Sequence, residues 1–270
     1  MDIFENVFVL NLDSRPDRLY AADCQLKEAG IPYTRFPAIS HENGIKGLLL
    51  TMEALFEKCI AEGLDKICVL EDDFKFLLPP VPFLNEVMPQ LPENYHCFHL
   101  GLNLLEQPVK VSANILRVRT SYATHAIVYS QQAMRLILPL LKREEAQPYD
   151  ILLMHHIQPM GKCYCTYPML CTQRPDHSNI EGKWTDWATL MNTTYAMHTK
   201  FINMPAEIIQ CYDGHMIENQ VPKVDHSKFE IQNPEFIGKV CDCKKFVYAE
   251  RTCGCTVKEW RIYWDENMGV

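Results

Sequence analysis

The chain has no Gly-rich phosphate loop carrying a Lys, and this argues against a nucleotidyl- or phosphotransferase built around such a loop. It has no excess of basic residues: 26 Lys and Arg stand against 34 Asp and Glu, a net charge of −8. Nucleic acid is therefore not expected as a partner, because phosphate binding needs clustered cations. No uninterrupted apolar run is long enough to span a bilayer, so no transmembrane segment is expected. The opening residues Met1 to Asn6 are acidic and lead straight into an apolar run, unlike a signal peptide, which sets a cytoplasmic location as the expectation. Internal repeats and low-complexity segments are also missing.

What is present fits a globular protein of one large domain, or of one domain plus an appendage: 270 residues, 47% hydrophobic and 22% charged. Without an export signal, the twelve cysteines are expected as thiols or metal ligands rather than disulfides. The distinctive stretch is Asp65 to Asp73, where the apolar run Ile67 to Leu70 ends in Glu71, Asp72 and Asp73. The run predicts a buried strand, and ligands of open α/β sheets bind just beyond the carboxyl ends of strands. Side-chain alternation places Glu71 and Asp73 on one face and Asp72 on the other. Converging carboxylates call for a divalent cation or a donor-rich ligand between them, and hard oxygen ligands suit Mg2+ or Mn2+ bound together with phosphates. A solvated acidic turn is the plain alternative.

The flanking pattern predicts a parallel sheet covered by helices. Val7 to Leu12 reads as a first strand, followed by a helix capped by Ser14 with Asp17 as the capping-box acid and stopped at Gly30. Tyr33 to Ala38 reads as a second strand, and a long amphipathic helix runs from Ile45 to Gly63. The segment from Pro79 to Pro92 is broken by five prolines, leaving room for a short helix at Phe83 to Met88. Further strands are expected at Tyr95 to Leu100, Ile115 to Arg119, Ala126 to Tyr129 and Cys163 to Pro168. Helices are expected after Ser130 and, with Asp150 as N-cap, from Ile151 to Ile157. Gln173 to Trp184 reads as a polar loop or lid, and no regular element is assigned beyond about residue 185.

The ordered motifs resemble glycosyltransferase family 25, the group of lipopolysaccharide and collagen galactosyltransferases. They are Val9-Leu10-Asn11-Leu12 with Arg15-Pro16-Asp17-Arg18, Ala38, Gly44 and Gly47, Leu70-Glu71-Asp72-Asp73, Leu100-Gly101, Ala126 to Ser130 with Ala133, Asp150, and Tyr167-Pro168 followed by Gln173, Ser178 and Ile180. The resemblance covers roughly residues 5–182. Family members often carry a Cys and a Ser-His pair in the long helix, where this chain has Leu48 and Thr51-Met52, and Ser-Asp-Ile in the lid, where it has Ser178-Asn179-Ile180.

The resemblance implies a GT-A-type, mostly parallel sheet flanked by helices over residues 1–184; the residues beyond it, 185–270, read as a Cys-containing extension. The resemblance also implies metal-dependent, inverting transfer of galactose or glucose from a UDP-sugar to a hydroxyl of a glycan or hydroxylysine-type acceptor. On it, Asp73 with Glu71 holds Mn2+ or Mg2+, and His177 is a further ligand or a solvated loop histidine. Asp150 is the general base, although the sequence equally allows a plain helix cap. Asn11, Leu12, Ala38 and Asp72 fall to the nucleotide sugar. Arg15 and Arg18 pair with the diphosphate or brace the helix through Asp17 or Glu28, and Lys46 is a phosphate contact or a surface lysine. Cys241, Cys243, Cys253 and Cys255 hold a structural Zn2+ or remain thiols. His155 and His156 point to different helix faces and form no metal pair. The competing reading is a degenerate transferase retained as a glycan-binding or scaffold module.

Overall fold

The computed structural model describes residues 4–143, 147–177, 182–200 and 202. The chain divides into two units, Met1–Thr199 and Lys200–Val270. The four C-terminal cysteines proposed for zinc, and Ser178 to Ile180, lie outside the described residues. The strands are β1 (Val7–Asn11), β2 (Thr34–Pro37), β3 (Lys66–Glu71), β4 (Phe74–Phe76), β5 (Cys97–His99), β6 (Asn103–Leu104), β7 (Val109–Lys110), β8 (Ile115–Arg117), β9 (Ser121–Tyr122), β10 (Ala126–Ser130), β11 (Cys163–Thr166), β12 (Cys171–Gln173), β13 (Asp176–His177) and β14 (Trp184–Thr185). The helices are α1 (Pro16–Glu28), α2 (Gly44–Ala61), α3 (Pro80–Val87), α4 (Gln131–Leu141), α5 (Tyr149–His156) and α6 (Trp187–Thr199).

An eight-stranded sheet in the order β2-β1-β3-β10-β5-β11-β8-β7 forms the centre. The pairings β1–β2, β1–β3 and β5–β11 are parallel, and only β8 and β10 run against the rest. All five residues of β1 are buried, as are Ile67 to Leu70 of β3, so both strands are apolar throughout rather than alternating. This is the α/β, mostly parallel architecture expected from the sequence. Among the described residues no helix is long and apolar enough to cross a membrane. The seven described cysteines are all unpaired thiols, six of them buried.

Local chemistry moves several boundaries. The N-cap of α1 is Arg15, and no side chain caps it. The expected Ser14–Asp17 capping box is absent because the Arg15 guanidinium holds the Asp17 carboxylate (2.9 Å) and keeps it low, at about 2. The side chain of Asn43 caps α2, accepting from the Lys46 N–H (3.1 Å), and the helix begins at Gly44, one residue before the expected Ile45. Prolines at its start let α3 begin earlier than expected, at Pro80. Ser130 caps α4 as expected, accepting from Ala133 N (3.2 Å). Pro148, not Asp150, is the N-cap of α5, so the helix starts two residues earlier and Asp150 lies in its first turn. The expected lid contains order: β12 pairs with β4, and β13 pairs with β14. Beyond residue 185, where no element was assigned, α6 packs on β6 and β12. Tyr195 on this helix donates to the Thr166 carbonyl (2.7 Å).

Candidate active site

Because β1, β2 and β3 are parallel, their carboxyl ends open on one edge of the sheet. A cavity of about 850 Å3 lies there, toward the upper end of the roughly 300–1,000 Å3 of small-molecule sites. Strand β10 runs the other way beside β3, with Ala126 opposite Leu70, so the turn before it, Ala123 to His125, arrives at the same rim. The N-terminal turn of α2 forms another wall through Gly44, Ile45, Gly47 and Leu48.

Glu71, Asp72 and Asp73 all line this cavity. The expected alternation fails for Asp72 because β3 ends at Glu71 and the next two residues turn. Each acid has its own environment. Glu71 accepts from the Thr124 hydroxyl (2.8 Å). Asp72 accepts from Asn11 Nδ2 (2.7 Å) and from Arg18 (3.0 Å). Asp73 Oδ2 has only long contacts to Arg18 (3.5 Å) and Gln173 (3.4 Å), and its Oδ1 is buried without a hydrogen-bond partner.

Dehydration by the surrounding protein raises Glu71 well above the usual carboxylate range, and the Asp73 charge adds to this. Burial likewise raises Asp73, against the pull of Arg18. Two half-buried acids with spare acceptor oxygens, one of them the sealed Asp73 Oδ1, fit a hard divalent cation. Among the described residues no group of three or more His, Cys, Asp or Glu side chains is gathered for a metal. A cation held by Asp73 and Glu71 would therefore take its other ligands from water and substrate phosphate, as Mg2+ commonly does.

A basic cluster faces the acids. Arg18 donates to Asp72 and, through Nε, to Asp176 (2.8 Å), while Arg15 also bonds Asp176 (2.7 Å). Both guanidinium groups reach the His177 carbonyl. Asp176 thus ties the β13–β14 hairpin to α1, and the expected bracing of Arg15 by Asp17 is also present. Arg174, which the sequence did not single out, lines the cavity and donates through its backbone N–H to the Asp73 carbonyl (2.7 Å) and through its guanidinium to the Asp72 carbonyl.

Of the other expected donor contacts, Asn11, Leu12, Arg15, Arg18 and Ala38 line the cavity. The Asn11 amide is spent within the protein, on Asp72, the Arg15 carbonyl (2.9 Å) and the Arg35 guanidinium (3.1 Å). Lys46 and His177 are not among the lining residues. His177 meets the site through its backbone, and its residue is exposed. Thr51 bridges Ile39 N (2.8 Å) and the Gly47 carbonyl (2.7 Å), fastening the Ala38–His41 loop to α2.

Asp150 lines the cavity from the first turn of α5. Its Oδ1 accepts from Ile151 N (2.9 Å) and its Oδ2 from Ala123 N (3.4 Å). Ala123 has φ 69°, an uncommon conformation for a residue with a Cβ. Such strain persists where surrounding structure imposes it, here in a turn joining Asp150 to the Thr124–Glu71 pair. His155 and His156 stand at the far end of α5, with ring centroids 6.5 Å apart and nearly perpendicular.

No family model and no curated protein matches the chain. Among solved structures it is similar to protein A197 from STIV, at 10% identity and TM-score 0.37, covering 64% of this chain and 94% of that one. It is similar to a glycosyltransferase involved in glycosylation of the major capsid of PBCV-1, at 9% identity and TM-score 0.38, covering 59% and 80%. It is also similar to a Bacillus anthracis protein described as a glucose-1-phosphate thymidylyltransferase, in complex with sucrose, at 12% identity and TM-score 0.39, covering 74% and 96%.

Proposed function

We propose that the protein is a metal-dependent glycosyltransferase that moves a hexose, galactose or glucose, from a UDP-sugar to an acceptor hydroxyl with inversion. The observation that carries the reading is the buried, unpartnered Oδ1 of Asp73 beside the dehydrated Glu71, at the carboxyl ends of parallel strands. The ordered motifs shared with family 25 support the same reading.

When bound, Mn2+ or Mg2+ supplies a Lewis acid that offsets charge on the leaving diphosphate. Asp73 and Glu71 hold it. The first turn of α2, whose Gly44 and Ile45 line the cavity, would offer its positive dipole end to the phosphates, the Lys46 N–H being already taken by Asn43. Leu10, Leu12 and Ala38 give apolar surface for the base, and Asn11 acts by fixing Asp72 rather than by touching the uracil. Asp72, held by Arg18, is left to the ribose or sugar.

Asp150 takes the proton from the acceptor hydroxyl as that oxygen bonds to the anomeric carbon. The carbon–oxygen bond to the diphosphate breaks on the opposite side, and its electron pair leaves with UDP. Bonds from Ile151 N and Ala123 N fix the Asp150 carboxylate for this task.

One observation favours the degenerate alternative: the Arg18 guanidinium already places a positive charge between Asp72 and Asp73. Incubation with UDP-hexoses and Mn2+, with and without chelator, separates the two. UDP release that chelator abolishes supports the transferase, and UDP-sugar binding without release under any metal condition supports the binding module.

A further inference from the structure

One corner of the cavity takes no part in the chemistry above. It is built by the β6–β9 ribbon and the first half of α6. Trp187 and Leu190 line the cavity yet remain 39% and 40% exposed, giving an apolar plate open to a ligand. Asn103 stands beside it, only 8% exposed and also on the cavity wall. The Thr194 hydroxyl holds one end of its side-chain amide at 2.5 Å, while the other end has no partner in the protein. The free amide nitrogen is not sealed from solvent, so a ligand hydroxyl entering the cavity can reach it and take the place of water there.

The corner adjoins the proposed base. Asn103 pairs with Tyr122 across the β6–β9 ribbon, and the next residue, Ala123, donates its N–H to Asp150. None of Asn103, Leu105, Tyr122, Trp187, Leu190 and Thr194 carries a charge. The complementary ligand is neutral, with a flat apolar face and polar groups on its rim. A pyranose ring has that form, with C–H bonds on its faces and hydroxyls at its edge. A hydroxylysine side chain brings an ammonium group, for which the plate itself has no carboxylate: Asp150 is taken by the reactive hydroxyl, and Asp186, beside Trp187, is held by Thr189 and is not on the cavity wall.

Resting on the transferase reading, we propose that this corner is the acceptor subsite and that the acceptor is a neutral glycan. A hexopyranose ring lies on Trp187 and Leu190, one of its hydroxyls meets the free end of the Asn103 amide, and the reactive hydroxyl is thereby presented to Asp150.

The test measures binding of the methyl glycosides of glucose, galactose and mannose, and of lactose, to the full chain in the presence of UDP and Mn2+. Saturation-transfer NMR and tryptophan fluorescence provide the readouts. A hydroxylysine-containing peptide serves as the competing probe. At least one saccharide should bind, and Trp187→Ala should raise its dissociation constant by about tenfold, or roughly 1.4 kcal/mol. Trp187→Phe should recover most of the loss. Asn103→Ala should weaken binding with the folded state verified by its melting transition, and Leu190→Ala gives a second reading of the plate if Asn103→Ala fails to fold.

Binding of the peptide alone, binding of no probe, or saccharide binding unaffected by Trp187→Ala and Leu190→Ala would each overturn the subsite. UDP release into water from a UDP-hexose without acceptor reports on the transferase reading separately. Its presence together with failed saccharide binding sinks only the subsite. Its absence together with intact saccharide binding sinks only the transfer.

Discussion

Replacing Asn11 by Ala removes three bonds from the buried end of β1: to the Asp72 carboxylate, to the Arg15 carbonyl and from the Arg35 guanidinium. Two involve a charged partner, worth roughly 1.5–3 kcal/mol each, and one is neutral, worth about 0.5–1.5 kcal/mol. Backbone and solvent rearrangement recover part of the sum, so a loss of about 4 kcal/mol is expected, a large share of the roughly 5–15 kcal/mol that holds a domain together. Urea denaturation of the wild type and Asn11→Ala measures it as a shift in midpoint at constant slope. Because Asn11 is 2% exposed and Asp72 is 8% exposed, water cannot readily replace the lost donor. A double-mutant cycle with Asp72→Ala isolates the pair, with an expected coupling of about 1–3 kcal/mol. UDP-sugar affinity should fall with Asn11→Ala even where the protein remains folded, because Asp72 loses its anchor. A coupling below about 0.5 kcal/mol would refute the claim that Asn11 works by holding Asp72.

Glu71 and Asp73 are both raised by burial, so the folded protein retains protons that the unfolded chain has released. The sign follows: in the metal-free protein, stability falls as pH rises from the ordinary carboxylate range through the raised values. Melting temperatures across that range, with Glu71→Gln flattening the slope, check it. Asp150→Asn should lower turnover by about two orders of magnitude or more while changing UDP affinity little, read from steady-state kinetics and calorimetry, since the base acts only on the acceptor proton. Gly47→Ala would place a Cβ 2.7 Å from the Ile39 carbonyl oxygen, forcing the Ala38–His41 loop away from α2. The overpacking cost of about 1–3 kcal/mol exceeds the roughly 1 kcal/mol gained in helix propensity, so denaturation should show a net loss, and UDP affinity should fall with it.

Elements dictated by local pattern were legible in the sequence. The apolar runs of β1 and β3, the periodicity of α2 and the Ser130 cap of α4 each follow from short-range chemistry. The Glu71–Asp73 cluster was legible as a strand end, but its geometry was not, because alternation holds only while the chain stays extended. The β3 strand stops at Glu71, two residues short of Asp73. Contacts between residues far apart in the chain left no local signal. Arg174 reaches Asp72 and Asp73 because β12 pairs with β4, with Gln173 opposite Phe74. Thr124 reaches Glu71 because β10 runs antiparallel to β3. Helix α6 was missed because its buried residues Met191, Tyr195, His198 and Thr199 mix apolar and polar types, which weakens the amphipathic pattern. The pairing of Asn103 with Thr194, 91 residues apart, was invisible for the same reason as Arg174.

The central claim is that Asp73, with Glu71, holds a divalent cation against the donor diphosphate. Calorimetric titration of Mn2+ into the protein with and without UDP, repeated on Asp73→Asn, tests it most directly. The account predicts that UDP strengthens Mn2+ binding in the wild type, and that Asp73→Asn abolishes this coupling while the protein still melts cooperatively. Equal Mn2+ affinity with and without UDP, or coupling undiminished in Asp73→Asn, would contradict it.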